Sequence, residues 1–119
     1  MLTMNEDLEG ALKAYLLQME EGAYYEAHEL LEEAWHPLRL KKDPLANLTK
    51  GLINVAVAGE HIKRGRERYA QRARRVMGAY ERHKHLCVKG IAHYSLFLLA
   101  CKKAEALKEA YPTVFTPPS

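Results

Sequence analysis

The sequence predicts an all-α protein, folded as a compact bundle of about five helices. Apolar residues recur three and four positions apart along most of the 119 residues, whereas the alternation typical of a half-buried strand is almost absent. A chain of this length also buries one core rather than two. We therefore expect a single helical domain over residues 1–111, followed by a Pro-rich C-terminal tail at 112–119.

The first two helices are predicted from their apolar stripes and from the residues that end them. The first covers residues 5–20, with Gly22 as its stop signal. The second covers about residues 23–35. It is expected to end before Pro37, because proline has no backbone N–H to donate to a continuing helix.

The third helix is predicted to be the central one. Asp43 and Pro44 supply an N-cap and a first-turn proline, and the helix reaches Arg64, just before Gly65. Its middle, GLINVAVAG, is apolar almost all round, which is typical of a helix that is buried on every side.

Two further helices complete the predicted bundle. The fourth covers about residues 66–82 and turns its arginines outward, and the fifth covers about residues 91–110. The sequence of the segment between these two helices predicts no clear secondary structure.

Charge is distributed very unevenly along the chain, although the formal net charge is only +3. Residues 1–36 carry nine acidic side chains against only Lys13. Residues 63–84 carry nine basic side chains against Glu67 and Glu81. An acidic helix that packs beside a basic one, within the chain or between subunits, explains this asymmetry, and a homo-oligomer therefore stays open.

Several classes of function are disfavoured by the sequence. The basic segment carries no recognised nucleic-acid-binding motif, so nucleic acid is not the expected partner. No apolar run approaches the roughly 20 residues that cross a membrane, and no signal-peptide pattern is present, so we expect a cytoplasmic protein without a membrane partner. Nucleophile motifs, phosphate loops and dinucleotide fingerprints are also absent, which leaves open whether the protein is an enzyme.

The segment YYEAHELLEEAWHPL, residues 24–38, contains the candidate site. On a helical wheel His28 lies at the edge of the apolar arc, between Glu32 and Trp35, and Tyr24 belongs to the same arc. His28 and Glu32 are neighbours one turn apart. The remaining glutamates of this helix lie on the opposite face and are interpreted as solvated.

The third helix is expected to complete this site. Its polar stripe contains Lys50, Asn54 and His61, and a bundle that faces the stripe toward His28 and Glu32 gathers two imidazoles and a carboxylate in one pocket. These donors suit a divalent metal ion, whose identity the residues do not fix.

Three interpretations of the site stay open. His28, Glu32 and His61 bind a divalent metal ion that activates water for hydrolysis, with Trp35, Asn54, Lys50 and Tyr24 in support. Alternatively, Glu32 orients His28 as a catalytic acid/base pair that relays a proton without metal. In the third interpretation the same residues form a buried structural network, in a non-catalytic module that binds a partner or forms oligomers through its helices. The partner is then an unknown protein, and in the first two cases an unknown small molecule.

Two segments resemble a known family. YEAHELLEEAW matches a motif of His, three residues, Glu, two residues and an aromatic, carried here by His28, Glu32 and Trp35. GLINVAVAGEH, followed by Arg64 and Gly65, matches a second segment of the same family. The chain therefore resembles the bacterial and archaeal family catalogued as domain of unknown function 309, over about residues 20–80. The resemblance implies a small all-helical protein whose motif binds metal.

The chain departs from that family pattern in two places. Lys50 stands where the family often carries glutamine, and an ammonium there would oppose a cation or form a salt bridge to Glu32. The C-terminal third, which contains His83, His85 and His93, matches the family poorly.

Overall fold

The protein is a bundle of helices. A computed structural model describes residues 8–65 and 67–115, and no strand occurs in these two ranges. The elements are α1 (Leu8–Glu20), α2 (Tyr24–Leu40), α3 (Ala46–Arg64), α4 (Tyr69–His83), a 3₁₀ turn (Lys84–Leu86), α5 (Tyr94–Ala110) and α6 (Pro112–Phe115). The prediction of an all-α bundle in one globule is confirmed.

Helix α3 forms the centre of the bundle, as its sequence predicts. It packs against α2, α4 and α5, and most of its residues are buried, including Leu52, Val55 and Ala56. The hydroxyl of Tyr15 in α1 is fully buried and donates a hydrogen bond of 2.8 Å to the backbone oxygen of Leu52. The polar end of this large side chain is thereby satisfied inside the core.

Two glycines of α3 allow its neighbours to approach closely. A Cβ atom on Gly51 would lie 2.9 Å from the Cα of Tyr80 in α4. A Cβ atom on Gly59 would lie 2.7 Å from the ring of Tyr24 in α2. Both distances are shorter than ordinary carbon contacts, so any larger residue would push α2 or α4 away from α3.

Helix α2 continues past Pro37, so the prediction that it ends there is wrong. The helix reaches Leu40, and the N–H of Lys41 bonds to the carbonyl of Pro37 at 3.1 Å. Proline removes only one hydrogen bond, to the carbonyl four residues earlier at Glu33. Glu33 is exposed, so that carbonyl can be hydrated and the last turn survives.

The other boundaries differ modestly from the predicted ones. Asp43 Oδ1 accepts a hydrogen bond of 2.8 Å from the N–H of Leu45, but α3 begins only at Ala46, so Pro44 lies in the turn before the helix. Gly65 ends α3 in the left-handed region, with φ +58°, as its position predicts. Residues 5–7 of the predicted first helix and Arg66 of the fourth lie outside the described residues.

The first four residues of the predicted tail are helical. Residues 112–115 form α6, which packs against α4 and α5 and buries Val114 in the core. Residues 116–119 lie outside the described ranges. None of the described helices is both long and apolar enough to span a membrane.

Charged side chains pair where α4 meets α5. The hydroxyl of Tyr80 donates a hydrogen bond of 2.5 Å to Glu105, and Lys108 bridges Glu105 and Glu81. Burial acts to raise the pKa of the Glu105 carboxyl, but hydrogen bonds from Tyr80 and Lys108 outweigh it and the pKa is lowered. The charges at this seam are therefore mutually compensated.

We expect Gly51→Ala to lower the free energy of unfolding by about 1–3 kcal/mol, because the added methyl meets the backbone of α4. Gly78→Ala is the matched control. Its Cβ would meet only the flexible end of Arg82, at 3.2 Å, so the better helix former should add about 0.5–1 kcal/mol. Urea unfolding followed by circular dichroism measures both values. Equal effects of the two substitutions would contradict the close approach at Gly51.

Candidate functional site

The candidate site is a shallow groove on the outer side of α2. It has a volume of about 190 Å³ and is lined by His28, Glu29, Glu32, Glu33 and His36. His28 and Glu32 are partly buried, whereas the other three are exposed. All five side chains come from one helix, because residues three, four and eight positions apart share one side of it.

The ring of His28 is held by its own helix. Its Nδ1 lies 3.0 Å from the backbone oxygen of Tyr25, and the two rings meet edge to face with centroids 5.4 Å apart. A carbonyl oxygen only accepts hydrogen bonds, so this contact assigns the proton to Nδ1. In the neutral ring the Nε2 lone pair then remains free to accept a proton or bind a metal.

Neither a lysine nor an arginine is among the residues that line the groove. The ammonium of Lys50 lies over the ring of Trp35, with Nζ 4.5 Å from the ring centroid, and the guanidinium of Arg39 lies 5.3 Å from it. These are cation–π contacts. Glu32 forms no hydrogen bond or ion pair within the described residues. Lys50 therefore neither pairs with Glu32 nor neutralises the groove.

His61 lies in a different pocket. A cavity of about 150 Å³ lies along α3 and the start of α4, where His61, Arg64, Tyr69 and Arg72 are among its lining residues. The antiparallel packing of α2 and α3 explains the separation. Lys63 Nζ donates to the backbone oxygen of Gly22 at 3.2 Å, which places the end of α3 beside the start of α2, more than a turn before His28.

The predicted three-ligand site is accordingly not assembled in this conformation. Within residues 8–65 and 67–115, no three or more His, Cys, Asp or Glu side chains are arranged to hold a metal ion. Asn54 lines neither pocket, and Tyr24 packs on Gly59. The roles assigned to His28 and Glu32 stay predictions and are taken up below.

Within residues 8–65 and 67–115, no hydrogen bond joins His28 or Glu32 to α3, as the predicted buried network would require. His28 and Glu32 are partly exposed, and the one hydrogen bond of His28 stays within α2. Among the described polar residues, Thr49 is the fully buried one, and its hydroxyl bonds to the carbonyl of Leu45 within its own helix turn.

Positive charge surrounds His61. Burial lowers the pKa of its imidazole first, and Arg72 and Arg64 lower it further, against an opposing effect of Glu60. A neutral imidazole beside two guanidinium groups is a poor place for a divalent cation. Arg64 is held by Glu60, with Nε 2.8 Å from Oε2. Of these two guanidinium groups, that of Arg72 forms no ion pair within the described residues.

Sequence reasoning missed the contribution of His36, Glu29 and Glu33 to the groove. From the sequence, Glu29 and Glu33 are interpreted as solvated, and no role is predicted for His36. The available signal is the spacing of Glu32 and His36, which are one turn apart, as His28 and Glu32 are.

The fold and the groove define a class: small all-α bundles with a glycine-containing central helix and a histidine–glutamate pair on the helix before it. The profile of the family described as Domain of unknown function (DUF309) matches residues 12–73, from α1 into α4. The match covers more than half of the chain, and the chain belongs to this family. No curated protein and no solved structure matches it.

The pKa of His61 is a direct test of its surroundings. We expect Arg72→Gln to raise this pKa and Glu60→Gln to lower it, because the first removes a positive and the second a negative charge. Side-chain NMR titration from pH 4 to 8 measures both. Since the folded-state pKa is lowered, His61 should reduce stability as the pH falls below its unfolded value of about 6.5. A lower pKa of His61 in Arg72→Gln, or a higher one in Glu60→Gln, would contradict the assignment.

Proposed function

We propose that the protein binds a divalent cation at His28 and Glu32, with coordination positions left open for a small molecule. The observation that carries this proposal is the fixed ring of His28, whose Nδ1 bonds to Tyr25 and whose Nε2 is thereby free in an acidic groove. Hydrolysis of a small molecule is the reaction class to which the proposal points.

The donor set supports a cation. Three carboxylates and two imidazoles line the groove, and neither an ammonium nor a guanidinium is among its lining residues. Imidazole nitrogen and carboxylate oxygen are the donors preferred by zinc, nickel, iron and manganese in proteins. The two residues lie one helical turn apart, which suits a shared ion. The donor set fits an open site with two protein ligands, not a closed structural centre.

The two residues would have different parts. His28 would hold the ion through Nε2 while the carbonyl of Tyr25 fixes the orientation of the ring. Glu32 would supply an anionic oxygen and would accept a proton from the attacking water during hydrolysis of the small molecule. A bound divalent cation supplies Lewis acidity, which is the chemistry that a hydrolase uses.

Proton transfer without metal is the second candidate. The same contact between His28 and Tyr25 favours it, because an imidazole with one nitrogen fixed by a carbonyl presents the other as a base. Glu32, one turn away and without a partner in the described part of the chain, would then stabilise the protonated ring.

The test is metal titration of protein purified without an affinity tag. Isothermal titration with zinc, nickel and manganese should show one ion per chain. We expect His28→Ala and Glu32→Gln each to weaken binding by about tenfold or more, or about 1.4 kcal/mol, because each removes one of two ligands.

His36→Ala is the matched control, since it removes an imidazole of the same groove and leaves the proposed pair intact. Its affinity should stay within about threefold of the wild type. Equal losses in all three variants would show diffuse attraction to an acidic surface and contradict a site at His28 and Glu32. Absence of binding in the wild type would leave the proton-transfer candidate as the function of the pair.

A further inference from the structure

Two helices carry unpaired charges of opposite sign. The described ion pairs include none of the exposed carboxylates of α2 and none of the arginines of α4. The exposed unpaired carboxylates are Glu26, Glu29 and Glu33, and the unpaired arginines are Arg68 at the N-cap, Arg72, Arg74, Arg75 and Arg82. By contrast, the charged residues at the seam of α4 and α5 pair extensively.

The two charged faces do not neutralise each other within the described part of one chain. Helices α2 and α4 each pack against α3, and none of the described ion pairs joins α2 to α4. The sequence-based expectation that an acidic helix packs beside a basic one is therefore not met inside the monomer. Any pairing of the two faces has to come from outside the chain.

The acidic face of α2 has features of a docking surface besides its charge. Tyr25 and Leu40 lie near its two ends and are 47% and 79% exposed. A groove of about 300 Å³ runs beside it, where Gln18 of α1 joins Leu30 and the three carboxylates. The Oε1 atom of Gln18 is buried without a hydrogen-bond partner in the described structure.

The basic face of α4 matches the acidic one in spacing. Arg75 and Arg82 are exposed and lie seven residues apart on one side of α4, and Arg68 is exposed at the N-cap of the helix. Glu26 and Glu33 of α2 are separated by the same seven residues, or about 10 Å of helix rise. Guanidinium groups also bind carboxylates through two parallel hydrogen bonds, which gives such a contact a defined geometry.

We propose that the protein associates with itself, through the acidic face of α2 in one copy and the basic face of α4 in a second copy. A second copy is the partner that brings both charges at this spacing. Nucleic acid would engage only the arginines and would be repelled by α2. The exposed tyrosine and leucine at the ends of the acidic face add apolar area to a contact between proteins.

Charge reversal with complementation tests the proposal. One variant carries Glu26→Lys, Glu29→Lys and Glu33→Lys, and the other carries Arg68→Glu, Arg75→Glu and Arg82→Glu. Sedimentation equilibrium at 50 mM NaCl with EDTA should show salt-sensitive association of the wild type and at least tenfold weaker association of each variant alone. An equimolar mixture of the two should associate again, because each variant now offers the face that the other lacks.

The mixture shows whether a variant fails to associate because it has lost the contact or because it is misfolded, since misfolded chains would not associate again when mixed. Lys89→Glu and Lys102→Glu, both exposed and outside both faces, form the control variant and should associate as the wild type does. A wild type that stays monomeric, variants that associate unchanged, or a mixture that stays monomeric would each overturn the proposal. Binding of labelled duplex DNA by a monomeric wild type would assign the arginines to nucleic acid instead. EDTA keeps every outcome independent of the cation site.

Discussion

The close packing of α3 at Gly51 and Gly59 is the constraint on which the rest of the structure depends. At Gly51 the backbone of α4 occupies the space of a side chain, and at Gly59 the ring of Tyr24 does so. A helix that is approached this closely must be apolar and small on those sides. The residues of α3 that are neither small nor apolar, such as Lys50 and His61, are consequently left at the partly exposed edges.

This packing also sets the axial register of α2 and α3, and the register decides which polar groups meet. Antiparallel α2 brings Trp35 level with Lys50, so the ammonium lies on the indole ring instead of beside Glu32. At the other end, His61 lies beyond the start of α2 and meets Arg72 of α4. The groove on α2 is therefore lined by carboxylates and imidazoles alone, and all of them belong to α2.

Much of the fold could be predicted from the sequence, because helix type and buried face follow from periodicity alone. The central helix, its end at Gly65 and the neighbouring positions of His28 and Glu32 depend only on spacing along one helix. Whether His28 meets His61 could not be predicted in this way, and the two lie in separate pockets. A helical wheel gives the direction of a side chain around its axis, but not its height along the axis relative to another helix. The end of α2 could not be predicted for a related reason. Only the surroundings of Pro37 show that the carbonyl of Glu33, which loses its hydrogen bond, can be hydrated.

The negative charge of the acidic face of α2 would attract both the proposed cation and the arginine face of a second copy. Glu29 and Glu33 line both the groove of His28 and the groove of Gln18, whereas Glu26 lines only the second. A cation at His28 and Glu32 would reduce the negative potential that attracts the arginines of a second copy. By linkage, an arginine face bound to α2 would lower the affinity for the cation by the same factor by which the cation lowers the affinity for that face. His28 distinguishes a metal ion from the arginines of a second copy. The Nε2 lone pair of its imidazole can bind a metal ion directly, whereas a guanidinium can only donate a hydrogen bond to it. Cation binding and self-association at this face would therefore oppose each other, although they depend on different residues at their centres.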